Sequence, residues 1–284
     1  MRTLWLTVVV LCTGAGLARS PLNAQVSLPS GQIHHARGQN VAPVYEGWYM
    51  APDGTVRVSF GYLNKNYEEA LDIPVGPNNR IEPGSPDNGQ PTHFLPRRQY
   101  GVFIVTLPKD QSKTEFTWTL TIRGRSESVP ATLNPLYIID ALKQVGGTLD
   151  GMTPPLLRFS ETGAPATGPG GATTSLTTAA SKPVALDVWV SNDGAPGAVQ
   201  PVGPGRRQLP LKVAWTKYRG PGPVQLSATD SPVQGGKASV VATFTEPGEY
   251  VLRAVAFRGA GIGGQCCWTN AYAKVTVEAV GPRR

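Results

Sequence analysis

Two cysteines stand side by side at Cys266 and Cys267, directly before Trp268 and after glycines at Gly259, Gly261, Gly263 and Gly264. Thiol chemistry is the first chemistry these residue types offer. The third cysteine, Cys12, lies in an apolar N-terminal run that reads as a cleaved leader, so the mature chain holds no other partner for the pair. Neighbouring Cα atoms are about 3.8 Å apart, less than most disulfides span. The glycines nevertheless supply a permissive backbone, and an exported chain meets an oxidising compartment. A vicinal disulfide, a small rigid ring beside Trp268, would present an apolar platform to the face of a sugar or an aromatic ligand. Two other states fit the same residues. The thiols fill a core end as inert apolar groups, or they take a soft metal such as Cu(I) or bond another chain.

A second candidate is the loop IEPGSPDNGQPTHFLPRRQ, residues 81–99, which displays His93, Phe94, Arg97 and Arg98. Guanidinium forks beside an aromatic ring suit anionic or sugar-like ligands. The competing reading is a structured crossover whose arginines pair with Glu68, Glu69 or Glu82. Acid–base chemistry has little to draw on, because the histidines are His34, His35 and His93 and the chain has no GxSxG, HExxH or phosphate loop. GAGIGG at residues 259–264 precedes a strand and not a helix, so it lacks the geometry that cradles phosphate. His34-His35 has no carboxylate or cysteine at ligand spacing, and Asp193-Gly194 offers too few oxygens for calcium and reads as a turn. The sequence therefore names no catalytic residue, no metal site and no cofactor. Its ligand-binding candidates are Cys266, Cys267, Trp268, His93, Arg97 and Arg98.

The elements that must position these residues are strands. The 33 glycines and 27 prolines argue against long helices. The first 24 residues, with Arg2, an apolar run and small residues up to Ala24, read as a signal peptide, which makes the chain secreted or periplasmic with no membrane span. The net charge of +7 comes from basic residues scattered as singles and pairs. A nucleic-acid footprint would cluster them on one stripe, so nucleic acid is not an expected partner.

Residues 25–45 are polar and aperiodic, and read as a flexible leader. In residues 46–134, Val56, Val58, Phe60 and Tyr62 alternate with small or polar residues, as do Phe116, Trp118, Leu120 and Ile122. Period-two alternation predicts strands with one buried face. Pro52-Asp53-Gly54 and Gly124-Arg125 mark turns. Residues 135–181 read as a connector, with one short helix after Asn134-Pro135, a strand near Leu156 to Phe159, and the loop composition GAPATGPGGATTSLTTAAS. Residues 182–280 hold six further strands. The expected fold class is all-β, two antiparallel sandwiches joined by a Pro/Gly/Thr-rich connector.

Trp215 sits on the second long strand of the C-terminal half, and Tyr250 follows Pro247-Gly248-Glu249 at the start of another. FTEPGEYVLRAVA thereby resembles immunoglobulin-like and PKD-type domains, in which these are a core tryptophan and a tyrosine corner. The inter-sheet disulfide of many such domains has no counterpart here. Across the mature chain, FGYLNKNYEEALDIPVGPNNRIEP, GQPTHFLPRRQYGVFIVTLPKD and QCCWTNAYAKVTV resemble segments of a family of uncharacterised bacterial secreted proteins. That resemblance implies export and a two-sandwich architecture, and brings no activity. The expected function is an exported non-catalytic module binding carbohydrate or an envelope protein. The alternatives are a structural or adhesion spacer, or an accessory redox or copper-handling factor using the cysteine pair.

Overall fold

In this computed structural model, residues 34–107, 115–145, 151–191, 210–258 and 266–280 are described. The stretch read as a signal peptide, the turn expected at Asp193-Gly194 and the glycines before Cys266 lie outside them. The first eight strands are β1 (Val41–Met50), β2 (Val56–Asn64), β3 (Leu71–Asp72), β4 (Asn79–Glu82), β5 (His93–Phe94), β6 (Arg97–Leu107), β7 (Phe116–Ile122) and β8 (Arg125–Ala131). The alternation in β2 and β7 does what their sequences predict. Val56, Val58, Phe60 and Tyr62 are buried on one side, and Phe116, Trp118, Leu120 and Ile122 on the other. Sheets ordered β1-β2-β6 and β4-β7-β8 enclose this core. Phe60 stacks on Phe103 at 5.2 Å, and Trp118 meets Phe103 edge-on at 5.0 Å. The indole N–H of Trp118 donates to Asn79 Oδ1 at 3.0 Å, which satisfies its one polar atom inside the core.

The remaining strands are β9 (Leu156–Arg158), β10 (Ala172–Ala179), β11 (Val184–Ser191), β12 (Leu211–Arg219), β13 (Val224–Leu226), β14 (Asp230–Pro232), β15 (Lys237–Phe244), β16 (Gly248–Arg258) and β17 (Trp268–Glu278). They form two sheets, β9-β11-β15-β13 and β10-β17-β16-β12-β14. The first is the ABED sheet of an immunoglobulin sandwich, and β12, β16 and β17 supply its CFG sheet. All pairs are antiparallel except β10 with β17, which run parallel from Ala172↔Ala271 to Ala179↔Glu278. Trp215 on β12 is fully buried, as its position predicts. Tyr250 is the corner residue. Its hydroxyl donates to Glu246 O at 3.0 Å and accepts from Gly222 N at 3.1 Å, tying the start of β16 to the chain four residues upstream and to the turn after β12.

Four boundaries differ from the sequence reading. β1 begins at Val41, inside the stretch read as leader, because Val41 and Tyr49 find core positions. After Asn134 the described residues hold one 3-10 turn, Pro135–Tyr137, in place of the expected helix. The β-branched Ile138 and Ile139 instead run beside β1, with Ile139 N donating to Trp48 O at 2.9 Å. The β7–β8 hairpin turns at Arg123-Gly124, one residue earlier than expected, with φ of 52° and 75° as a type I′ turn requires. Finally, ATTSLTTA is not linker. It is β10, an integral strand of the second sandwich.

Candidate functional site

The chain from His35 onward clusters as a single unit, so the contacts between the two sandwiches are built into it. The outer face of β16 and β17 carries the side chains of Arg253, Asn270 and Tyr272, and β6 lies against that face. Arg253, 6% exposed, donates from Nε to Asn270 Oδ1 at 3.0 Å and from Nη2 to Tyr100 O and Gly101 O at 3.1 and 3.0 Å. Asn270 Nδ2 donates to Gly101 O at 2.8 Å and to Pro169 O at 2.9 Å, and Tyr272 Oη to Val102 O at 2.7 Å. A buried guanidinium is tolerated here because its hydrogens meet carbonyls and an amide oxygen. Burial pushes the Tyr272 hydroxyl up to about 12, so it remains a neutral donor at physiological pH.

The cysteine pair lies beside this seam. Cys266 and Cys267 are joined by a disulfide, as one of the sequence readings expects. Cys266 is half-buried, whereas Cys267 is 8% and Trp268 only 2% exposed. The sulfur of Cys267 sits 3.2 Å from Met152 O, and a disulfide sulfur has no hydrogen, so this is packing and not a hydrogen bond. Trp268 packs over Gly101, which adopts φ 48° and has no Cβ to collide with the indole. The residues that follow are stitched to the connector. Thr269 Oγ1 donates to Pro155 O and accepts from Gly168 N. Of the residues expected to form a ligand platform, Trp268 is buried, with its rings covered by the first sandwich at Gly101.

The other sequence candidates are brought to different places. Arg98 donates to Glu46 Oε1 at 2.6 Å and to two carbonyls, and lies 4.1 Å over the ring of Tyr100. Its fork is occupied within the protein, and none of the three carboxylates expected of it is its partner. Glu46 also accepts from Gly101 N at 2.8 Å, and burial pushes its carboxyl up against the opposing pull of Arg98. Arg97 is exposed but stacks 3.5 Å above Tyr67. His93 Nδ1 lies 2.9 Å from Asp72 Oδ1, which also accepts from Lys217 Nζ at 3.2 Å. Burial pushes the Asp72 carboxyl up, but His93 and Lys217 outweigh it and leave it lowered. Of the six candidates, His93 reaches a charged cluster shared by both sandwiches.

Further along the same seam, Arg219 binds Asp87 through a two-point fork with both N–O distances 2.8 Å, while its Nε donates to Gln90 O at 2.7 Å. The fork holds the Asp87 carboxyl below the usual range, against an opposing desolvation. Beside it opens a groove of about 410 Å³, lined by Arg57, Asp87, Tyr218, Arg219, Tyr272 and Lys274 among others. A neighbouring hollow of about 590 Å³ shares Asp87, Arg219, Val251 and Lys274 with it. Lys274 is exposed and has no direct ion pair among the described residues. Arg57 Nε is buried without a hydrogen-bond partner among them. Sequence reasoning missed this groove because its walls come from strands far apart in the chain. Among the described residues no group of three or more His, Cys, Asp or Glu is placed to hold a metal, and no helix is long and apolar enough to cross a membrane.

No family model matches the chain, and no curated protein does. Among solved structures, the D00-D0 domain of intimin is similar at 16% identity over 84% of this chain and 100% of that one, with a TM-score of 0.26. A PKD domain is similar at 18% identity over 40% of this chain and 87% of its own, with a TM-score of 0.23. Domains 4 and 5 of the S-layer protein SbsC are similar at 10% identity over 59% and 66%, with a TM-score of 0.24. Scores this low carry no weight for function. The immunoglobulin-like fold rests on the sheet order, the buried Trp215 and the Tyr250 corner.

Proposed function

We propose that this chain is an exported, non-catalytic binding module whose ligand enters the groove between the two sandwiches. The observation that carries the reading is the groove itself. It places Arg57, Arg219 and the unpaired Lys274 around a cavity of about 410 Å³ with Asp87 as its one acidic wall residue. The Arg219 fork is held by Asp87 and Arg57 pairs with Asp53, so a carbohydrate bearing a carboxylate or sulfate group would meet the Lys274 ammonium beside the Tyr272 ring there. The vicinal ring contributes by packing the connector against β17, and the bonded sulfurs leave no thiolate to hold copper in this state. Export rests on the N-terminal 24 residues and is part of the proposal.

The test is an array of neutral and acidic glycans probed with the mature protein and with Lys274→Glu. Acidic glycans retained by the wild type and lost with the charge reversal support the reading. Retention of an envelope protein alone would move the ligand to that class, and no retention of either would favour the spacer. Intact mass of the secreted chain reports leader cleavage separately.

A further inference from the structure

The two sheets of the second sandwich end in four edge strands, and they are not alike. β9, β13 and β14 have three residues each, and β14 ends in Pro232. In the first sandwich β8 carries Arg125, Glu127 and Pro130, β1 carries Pro43, and β4 has four residues with Arg80 and Glu82. Short length, charge and proline are the devices by which sheet edges avoid pairing with other chains. β10 has none of them. ATTSLTTA is eight residues long, uncharged, without proline or glycine, and half threonine. Its one strand neighbour among the described residues is β17. Of its core-side residues, Ala172, Thr174 and Leu176 are only partly buried and Thr178 alone is buried, whereas Ala271, Ala273 and Val275 on β17 are fully buried.

We infer that β10 is a pairing edge, and that its occupant is β10 of a second copy, added antiparallel to make one continuous ten-stranded sheet. In a parallel ladder every second residue turns its N–H and C=O away from the neighbour, so β10 presents a row of backbone groups to an incoming strand. A two-fold axis perpendicular to the sheet sets residues of the same face opposite each other. With Ser175 opposite its own copy, the outward Thr173 meets Thr177, and the core-side Thr174 meets Leu176 on the inner face. Threonine pairs across strands are favourable, and an uncharged strand brings no like charges together. The even composition makes the segment a match for itself without a specialised partner. One pair of eight-residue strands buries less than a standard stable interface, so the dimer is concentration-dependent.

Sedimentation velocity of the mature protein over a dilution series tests this. A monomer–dimer shift is expected for the wild type. Ser175→Lys, at an exposed outward position, places two like charges on the axis and is expected to sediment as a monomer with an unchanged melting curve. Ser175→Cys is expected to give a covalent dimer on mild oxidation, and Val241→Cys, exposed on the opposite sheet, is not. A wild type that stays monomeric throughout, or a dimer that persists in Ser175→Lys without a Ser175→Cys cross-link, would overturn the inference. So would a monomer that takes up a synthetic peptide of residues 172–179 yet never self-associates, since the edge would then serve a foreign strand.

Discussion

The indole of Trp268 occupies the space that a side chain on Gly101 would need. That one relationship joins the second sandwich to the first, because Trp268 opens β17 and Gly101 lies within β6. Gly101→Ala combines two penalties, a left-handed φ of 48° and a clash with a large buried ring. It should destabilise by at least about 2 kcal/mol. Chemical denaturation of the variant reads this directly, and a wild-type midpoint would show that Trp268 has room elsewhere.

Arg253 is the polar counterpart of that contact. Replacing it with Leu takes the donor from Tyr100 O and Asn270 Oδ1 in a buried seam, while Gly101 O keeps the Asn270 amide. Each unsatisfied buried acceptor costs about 1–3 kcal/mol. Arg253→Leu should therefore lose several kcal/mol and split unfolding into two steps, since both sandwich cores remain intact while the seam fails. Calorimetry that still shows one transition at the wild-type temperature would mean the seam is held mainly by apolar contact.

Trp118 and Trp215 each fill the centre of one sandwich, and either change to Ala should cost roughly 3–5 kcal/mol. Tyr250→Phe keeps the ring against Phe244, 4.8 Å away between centroids, and removes only the corner hydrogen bonds. A loss of about 1 kcal/mol is expected. Urea midpoints of the three variants rank these effects, and a Tyr250→Phe loss as large as that of the tryptophan variants would contradict the assignment.

Most of the fold could be read from the chain because alternation in β2, β7, β12 and β15 is a local signal of which face is buried. β10 could not be read that way. Its threonines carry no apolar alternation, and it becomes a strand only because the β17 ladder accepts it. The cysteine bond was legible from spacing and compartment, but the covering of Trp268 depends on a glycine more than 160 residues away in sequence. The groove was invisible for the same reason, since Arg57, Asp87, Arg219 and Lys274 come from four separate segments. Local residue chemistry predicts pairing groups well and says little about which distant strand will bury them.

The seam should weaken in acid. Arg219 holds the Asp87 carboxyl below its ordinary value, so the folded state binds that proton less readily than the unfolded state. Such a group contributes stability above the ordinary carboxylate range, and the contribution is lost as pH falls through the lowered value. Asp72 has the same sign. Glu46 has the opposite sign because its carboxyl is raised, so the difference between variants is more telling than the wild-type curve alone. The melting temperature of the wild type should fall below about pH 4, and Asp87→Asn should be less stable at neutral pH with a shallower acid decline. An acid limb identical in both proteins would show that the Arg219 fork adds nothing to the seam.

The bond between Cys266 and Cys267 makes a last, separable prediction. A disulfide stabilises largely by removing unfolded-state entropy, and the loop closed by neighbouring residues is too short to remove much. Reduction should therefore shift the melting temperature little. The connector is another matter, because Met152 O packs against Cys267 Sγ at 3.2 Å and Thr269 ties to Pro155 and Gly168 just beyond. Opening the ring frees two sulfurs at that junction, so hydrogen exchange should rise at residues 151–153 before it rises in either sandwich core. Mature protein treated with iodoacetamide before any reductant should gain no mass, and after reduction two adducts. Two adducts without reductant would remove the disulfide, and unchanged exchange at residues 151–153 after reduction would show that the ring does not hold the connector.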